Sequence, residues 1–151
     1  MSDDIRRIAQ DVFDRCLCKR TRAAARAITR FYDGELRSTG LRPSQVELLV
    51  AIAAKSELSI SGLADALHMD RTTTTRNLRP LEKRGLVTLS PESRHRTRLV
   101  RLTSSGEAAL TNSVDHWKRA QAMMERRLHD EGVASVRAAS SAILSAVRIT
   151  G

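Results

Sequence analysis

Residues 59–87 of this chain read SISGLADALHMDRTTTTRNLRPLEKRGLV, and they contain the clearest structural pattern of the sequence. Either of its first two serines is suited to cap the N-terminus of a short helix. A second helix is predicted to begin after Asp70, a good capping residue, and to end at Arg84, because Gly85 is typical of the position after a helix. Two helices joined by such a tight turn form a helix-turn-helix.

The second helix of this motif has two different faces. On a helical wheel with Thr74 pointing inward, Leu78 and Leu81 fall on the same side, so we expect these three residues to be buried. The outward face combines short hydroxyls near its N-terminus with cations further along: Thr72, Arg76, Arg79 and Lys83, flanked by Thr73 and Thr75. Arginine can donate two hydrogen bonds to guanine, and a helix N-terminus favours phosphate. The pattern therefore indicates a DNA-reading helix, with a charged face exposed only to solvent as the alternative.

The sequence pattern changes after Gly85. Residues 86–90 and 99–103 are typical of β-strands, and the segment between them, PESRHRTR, is rich in cations. A hairpin with a basic tip directly after a helix-turn-helix is suited to reach phosphates or the adjacent minor groove. We therefore predict a wing whose Arg94 and Arg96 contact DNA, with a basic loop that faces only solvent as the alternative.

The segments on both sides of this lobe are predicted to be helical. Residues 4–36 carry apolar side chains at helical spacing and are predicted to form one long helix or two abutting ones. A helix follows Pro43, another starts at Thr103 or Ser104, and a last one follows Gly132. The long terminal helices carry apolar stripes that are difficult for one small domain to cover, which points to an intermolecular helix bundle.

Length and charge narrow the class of protein. The chain has 151 residues, which suits one compact domain. Its 26 Lys and Arg against 17 Asp and Glu give a net charge of +9, which favours a polyanionic partner. Double-stranded DNA is the leading candidate, and an anionic membrane surface is the second. No apolar run approaches a membrane span, and residues 1–7 lack the apolar stretch of a signal peptide, so we expect a cytoplasmic protein. Of the two candidate partners we predict DNA and not a membrane.

The sequence does not indicate catalysis or a bound cofactor. It has no phosphate-binding glycine loop, no Gly-x-Ser-x-Gly elbow and no His-Glu-x-x-His pair, so we predict neither catalytic residues nor a cofactor. Its four histidines lack metal-ligand spacing, and two cysteines are too few for a structural zinc site. The chain is therefore predicted not to be an enzyme and not to hold a structural metal.

The two cysteines nevertheless suggest an alternative function. On a continuous helix, side chains two positions apart point about 200° away from one another, so Cys16 and Cys18 cannot join or share an ion unless the helix ends there. Either thiol can still pair with a cysteine of a second subunit. A redox or soft-metal sensor using Cys16 and Cys18 is thus one hypothesis, and two small apolar residues without reactivity are the other.

These motifs, in this order, resemble the MarR family of bacterial winged helix-turn-helix regulators. The matching stretches run along nearly the whole chain: 24–33, 41–45, 63–67, 69–73, 75–87 and 98–103, with Gly106. The resemblance implies a single MarR-type domain, mainly α with a small β-hairpin wing. A winged lobe at about 41–103 would lie between dimerisation helices at about 1–38 and 104–151. It also implies a homodimeric repressor on a pseudo-palindromic operator, with half-sites about one DNA turn apart, released by a small molecule or chemical signal.

The resemblance and the helical wheel together assign a set of residues to DNA. These are Ser61, Arg71, Thr72, Thr73, Thr75, Arg76, Arg79, Lys83, Arg94 and Arg96. An architectural, largely non-specific DNA-binding protein is the competing function, because the net charge and the short hydroxyls suit it as well.

Two positions depart from the family pattern. Thr74 stands where an aliphatic residue is usual, so either the helix packs more loosely or the hydroxyl bonds back to the preceding turn. Residues 91–96 lack the two aspartates that usually hold the arginines of the wing.

His116, beside Trp117, is a candidate for lining an effector pocket between the dimer helices and the lobe, with a packed or exposed histidine as the alternative.

Overall fold

The computed structural model describes residues 2–55, 58–91 and 98–147. Within these residues the chain forms six α-helices, one short 3-10 turn and one three-stranded sheet. The helices are α1 (Asp3–Arg15), α2 (Leu17–Leu36), α3 (Pro43–Lys55), α4 (Ile60–Ala66), α5 (Arg71–Lys83) and α6 (Ser104–Ala146). The strands are β1 (Leu58–Ser59), β2 (Val87–Leu89) and β3 (Leu99–Leu102). The predicted fold class, mainly α with a small β-hairpin, is confirmed.

The sheet ties the helix-turn-helix to the hairpin. It is antiparallel with the strand order β1–β3–β2, and β1 pairs with β3 through Leu58 and Val100. The sequence did not predict β1, because a strand of two residues carries no periodic pattern. Ser59 ends this strand, and its hydroxyl accepts a hydrogen bond from the N–H of Gly62 at 2.9 Å, so the same residue caps α4.

One hydrophobic core holds the lobe together. Most of its fully buried members lie on α3, α4, α5 and β3, among them Leu49, Ile52, Leu63, Leu81 and Val100, and α2 and β2 contribute one each. Burying an aliphatic side chain of this size contributes about 1.5–3 kcal/mol. Because these residues come from elements far apart in the chain, their packing fixes the position of α5 relative to the sheet.

The terminal helices leave apolar side chains on the surface. α1 has no buried residue. Large apolar side chains are exposed along α1, near the end of α6 and at its C-cap: Ile5, Ile8, Val12, Phe13, Val136, Ile143, Leu144 and Val147. An apolar stripe left in water by a single chain is typical of a surface that another chain covers. The intermolecular bundle stays a prediction that these exposed side chains favour.

Two interruptions of the terminal helices lie at residues other than glycine or proline. Cys16 has an extended backbone (φ −66°, ψ 106°) and separates α1 from α2, so this segment forms two abutting helices. α6 is interrupted at His129, where φ is 55°. The predicted start of a last helix after Gly132 is therefore wrong, since the break lies at His129 and Gly132 is itself helical. A glycine costs a helix only about 1 kcal/mol, which packing readily offsets.

Candidate nucleic-acid interface

α5 divides into the two faces that the helical wheel predicts. Thr74, Leu78 and Leu81 are buried, with at most 1% of their surface exposed. The opposite face carries exposed residues assigned to DNA: Arg71, Thr72, Arg76, Arg79 and Lys83. Thr73 and Thr75 are half-buried at the border between the faces, and Ser61 is exposed on α4. The outer surface of α5 therefore presents short hydroxyl side chains followed by cationic ones.

The threonines of α5 make hydrogen bonds within the helix. Thr74 Oγ1 donates to the carbonyl oxygen of Asp70 at 2.9 Å. Of the two expectations for this position, bonding back to the preceding turn is thus observed, and the buried hydroxyl is satisfied. Thr75 Oγ1 donates in the same way to the carbonyl oxygen of Arg71 at 2.8 Å. A phosphate oxygen only accepts hydrogen bonds, so Thr75 can donate to phosphate only if its hydroxyl leaves this carbonyl.

Asp70 caps the N-terminus of α5. Its carboxylate accepts hydrogen bonds from the hydroxyl and from the N–H of Thr73, both at 2.7 Å. These bonds, that of the hydroxyl above all, hold the pKa of Asp70 below its usual range. An ionised carboxylate at this end of the helix takes an N–H group that a phosphate would otherwise bind. The N–H of Thr73 is therefore not available to a phosphate while Asp70 caps the helix.

The turn between α4 and α5 contains a residue in the left-handed region. His68 has φ 52°, and the N–H of Met69 closes the turn by donating to the carbonyl oxygen of Ala64 at 2.9 Å. Histidine enters this region several-fold more often than most residues other than glycine. The sequence predicted the turn from the two flanking helices, whereas nothing in it singled out His68.

The structure describes the base of the wing. Arg98 Nε donates to the carbonyl oxygen of Ser90 at 3.2 Å, and the N–H of Ser90 donates to the carbonyl oxygen of Leu99 at 2.8 Å. These bonds close the hairpin below its tip. Arg94 and Arg96 lie outside the described residues, so their contacts with DNA stay predictions.

A cavity of about 560 Å³ lies between α2, α3 and α6. Each helix contributes one stripe of side chains to its wall. The stripes are Ile28, Thr29, Tyr32 and Leu36 on α2, Pro43, Val46, Glu47 and Val50 on α3, and Leu110, Val114 and Trp117 on α6. Except for Thr29, Tyr32 and Glu47, this wall is formed by apolar residues. Its size falls within the range of small-molecule pockets, about 300–1,000 Å³.

His116 does not line this cavity, although the adjacent Trp117 does. Its Nδ1 lies 3.0 Å from the carbonyl oxygen of Glu35, and its ring lies within 3.4 Å of the hydroxyl of Ser38. Of the two interpretations of His116, the pocket-lining one is therefore wrong, and the packed histidine is observed. Consecutive residues of a helix point about 100° apart, so Trp117 faces the cavity while His116 joins α6 to the end of α2.

Neither a metal site nor a membrane span is found in the ranges that the structure describes. Among these residues, no group of His, Cys, Asp and Glu is arranged to hold a metal ion. No helix among them is long and apolar enough to cross a membrane. Cys16 and Cys18 are both free thiols, and Cys18 is exposed.

Known proteins share this arrangement of a helix-turn-helix, a wing and flanking helices. A sequence profile of the MarR family matches residues 39–98. The crystal structure of the transcriptional regulator MosR of M. tuberculosis is 34% identical and aligns with 86% of this chain and 98% of its own, with a TM-score of 0.71. The chain belongs to the MarR family. MosR in complex with DNA is 33% identical and aligns with 85% of this chain and 98% of its own, with a TM-score of 0.72.

Two further relatives of this MarR-family chain are more limited in extent or identity. YdgJ of Bacillus subtilis, an uncharacterized HTH-type transcriptional regulator, is 36% identical over 77 residues, 50% of this chain and 46% of its own. The chain thus matches about half the length of this curated relative. A mutant of E. coli MarR complexed with operator DNA is 19% identical and shares the fold, with a TM-score of 0.76 over 88% of this chain and 96% of its own.

Membership of the MarR family fixes the general class of this protein. It is a winged helix-turn-helix transcriptional regulator and not an enzyme, as the sequence predicts.

Proposed function

We propose that this MarR-family protein is a cytoplasmic homodimeric repressor. It binds a pseudo-palindromic operator sequence-specifically and leaves it in response to a small molecule or chemical signal. The main support for this proposal is the outer face of α5. Short hydroxyl side chains on this face are followed by exposed guanidinium groups, while the opposite face of the helix is buried in the core. Short side chains let a helix approach the base edges of the major groove, where arginine reads guanine.

On this proposal the contacts with DNA come from the residues assigned in the sequence. They are Ser61, Arg71, Thr72, Thr73, Thr75, Arg76, Arg79 and Lys83, with Arg94 and Arg96 from the wing. Contacts with bases supply the sequence preference, and contacts with phosphates set position and affinity. The proposal requires that at least one of the arginines of α5 reads a base edge.

The dimer in this proposal forms through the segments at about 1–38 and 104–151. Its support is the row of apolar side chains that α1 and the end of α6 leave exposed, such as Ile5, Val12 and Ile143. Two winged lobes at about 41–103 would then face two half-sites about one DNA turn apart. The dimer carries a net charge of +18, twice the +9 of one chain.

Selection from random duplexes tests the proposal against the architectural alternative. The full chain selects duplexes from a random library, and fluorescence anisotropy then compares the enriched sequence with a scrambled duplex at near-physiological salt. We expect a pseudo-palindrome that binds about a thousandfold more tightly than the scrambled control, as specific regulators do. Failure to enrich any sequence, with equal and strongly salt-dependent affinities, would instead identify a non-specific DNA-binding protein.

The cavity between α2, α3 and α6 supports control by a small molecule. α3 belongs to the winged lobe, whereas α2 and α6 belong to the segments assigned to the dimer. A ligand in this space contacts both parts and so can favour one position of the lobe over another. Such a ligand shifts the equilibrium between two positions of the lobe only to the extent that it binds one of them more tightly than the other.

Cys16 and Cys18 support a second candidate, a thiol sensor of oxidants or soft metal ions. The objection from a continuous helix no longer holds, because α1 ends at Arg15 and Cys16 has an extended backbone. Hydrogen peroxide would join the two sulfur atoms in a disulfide, take up the two thiol hydrogens and be reduced to two water molecules.

Peroxide is expected to weaken operator binding by the unaltered protein and to have little effect on a Cys16→Ser, Cys18→Ser double variant. Anisotropy with the selected operator measures the release, and intact-mass spectrometry detects the loss of two hydrogen atoms per chain. A reducing thiol added afterwards should restore binding. Release that is equally strong in the double variant would assign the effect to other groups and reject the thiol sensor.

A further inference from the structure

The wall of the cavity between α2, α3 and α6 combines exposed apolar surface with one carboxylate. Ile28, Val50 and Trp117 line it and are 38%, 49% and 44% exposed, so each helix offers the cavity a large apolar side chain that is in contact with water. Glu47 lies on the same face of α3 as Val46 and Val50, which places its carboxylate at this wall.

The polar groups of this wall differ in their hydrogen bonds. The hydroxyl of Tyr32 donates to Oε1 of Gln121 at 2.6 Å and is therefore engaged. Across the described part of the chain, no hydrogen bond or ion pair engages the carboxylate of Glu47, and no described Lys, Arg or His lines the cavity. Glu47 is an exposed residue, and the partial desolvation of its carboxyl group raises its pKa, with no nearby counter-charge to oppose this shift.

We infer that this cavity selects apolar molecules that carry one positive charge, such as lipophilic amines, and discriminates against organic acids. The inference rests on the proposed role of the cavity as the effector site. An ammonium group beside Glu47 supplies the missing counter-charge, and the rings of Tyr32 and Trp117, in the same wall, attract cations through their faces. A ligand carboxylate in this place meets Glu47 instead and is repelled.

The net charge of the chain would by itself favour the opposite selectivity. At +9 the protein as a whole attracts anions, so non-specific binding would favour organic acids over amines. A preference for amines therefore has to come from the cavity itself.

Trp117 gives a direct measurement, because it is the only tryptophan of the chain and lines the cavity. Three probes have the same apolar cage and do not absorb where indole does: adamantylmethylamine, adamantylmethanol and adamantanecarboxylate. Titrations of the full chain without DNA, followed by tryptophan fluorescence and by calorimetry, compare their affinities. We expect the amine to bind about tenfold more tightly than the alcohol, through an ion pair and a cation–π contact, and the acid to bind most weakly.

Two matched variants separate Glu47 from the overall charge. Glu47→Gln is expected to reduce the preference for the amine from about tenfold to about threefold, the part that the cation–π contact supplies, and to leave the affinity for the alcohol unchanged, because only the ion pair is lost. Unchanged binding of the alcohol also shows that the variant is folded and its cavity intact. Glu131→Gln removes the same charge at an exposed position of α6 outside the cavity wall and should keep the preference for the amine.

Several results would overturn the inference: equal affinity for the three probes, tighter binding of the acid, no heat and no fluorescence change with any probe, or a preference for the amine that Glu47→Gln leaves undiminished. All are measured without DNA, so they leave the test of operator specificity untouched. An amine that binds selectively but does not release the operator supports the ligand class and contradicts the proposed effector role.

Discussion

Arg76→Ala is expected to lower the preference for the selected operator over a scrambled duplex by about tenfold to a hundredfold. Arg76 lies exposed on the outer face of α5, in the second turn of the helix. An arginine that donates two hydrogen bonds to guanine is worth about 1–3 kcal/mol of discrimination, and each 1.4 kcal/mol corresponds to a factor of about ten. Competition anisotropy with the two duplexes at constant salt measures this ratio directly.

Lys83→Ala is the matched control for this experiment. Lys83 lies on the same face but in the last turn of α5, where a flexible ammonium group is suited to a phosphate. Its loss should weaken binding to both duplexes alike and lower the salt dependence by about one unit per half-site. If Arg76→Ala also weakens both duplexes alike, the arginine contacts phosphate, and the assignment of base reading to this face of α5 is wrong.

The two faces of α5 could be predicted because helical periodicity sets which residues are buried. A helix that packs on one side repeats its buried positions every three to four residues, so Leu78 and Leu81 fix the inward direction. Thr74 was the ambiguous position, since threonine is neither reliably buried nor reliably exposed. Its hydrogen bond to the carbonyl oxygen of Asp70 allows burial without an unsatisfied hydroxyl. The exposed arginines follow from the same periodicity, whereas the cap at Asp70 follows from its residue type.

The breaks in the helices could not be predicted in the same way. Cys16 and His129 interrupt helical stretches without the glycine or proline that normally marks such a position. Both lie outside the core of the lobe, where α1 and the end of α6 have few contacts within one chain. Propensity differences between ordinary residues are below about 1 kcal/mol, so local sequence does not determine which residue breaks such a helix.

The resemblance implies a pocket between the dimer helices and the lobe, but the sequence did not show which residues line it. Val46 and Val50 on α3 and Val114 on α6 have the spacing of ordinary core residues. Whether such stripes close on one another or leave a space depends on the distance between the helices, which is a tertiary property. A carboxylate on one of the stripes, Glu47, was the available sequence signal that this wall is not simply core.

Gly106→Ala is expected to lower the free energy of unfolding by about 1–3 kcal/mol, the usual cost of overpacking. Gly106 is buried in the first turn of α6, against the backbone of Leu86. A Cβ atom at this position would overlap the carbonyl oxygen of Leu86 and lie 3.0 Å from its carbonyl carbon. Backbone atoms cannot rotate away as a side chain can, and the same carbonyl oxygen accepts a hydrogen bond from the N–H of Thr103 at 3.2 Å. Either α6 moves or this hydrogen bond breaks.

Gly34→Ala is the control for this substitution, because a Cβ atom at Gly34 meets nothing within 4 Å. It replaces an exposed glycine of α2 with a better helix former and should stabilise the protein by about 0.5–1 kcal/mol. Urea unfolding at one fixed protein concentration compares the two variants, since the stability of a dimer depends on concentration.

Leu86 joins α5 to β2, and Thr103 joins β3 to α6. A shift at Gly106 therefore reaches both α5 and the base of the wing, and operator affinity should fall with stability. If Gly106→Ala stabilised the protein as much as Gly34→Ala, α6 would accommodate the added Cβ atom without a loss of free energy. The close contact between Gly106 and Leu86 would then not be needed to hold the lobe in place.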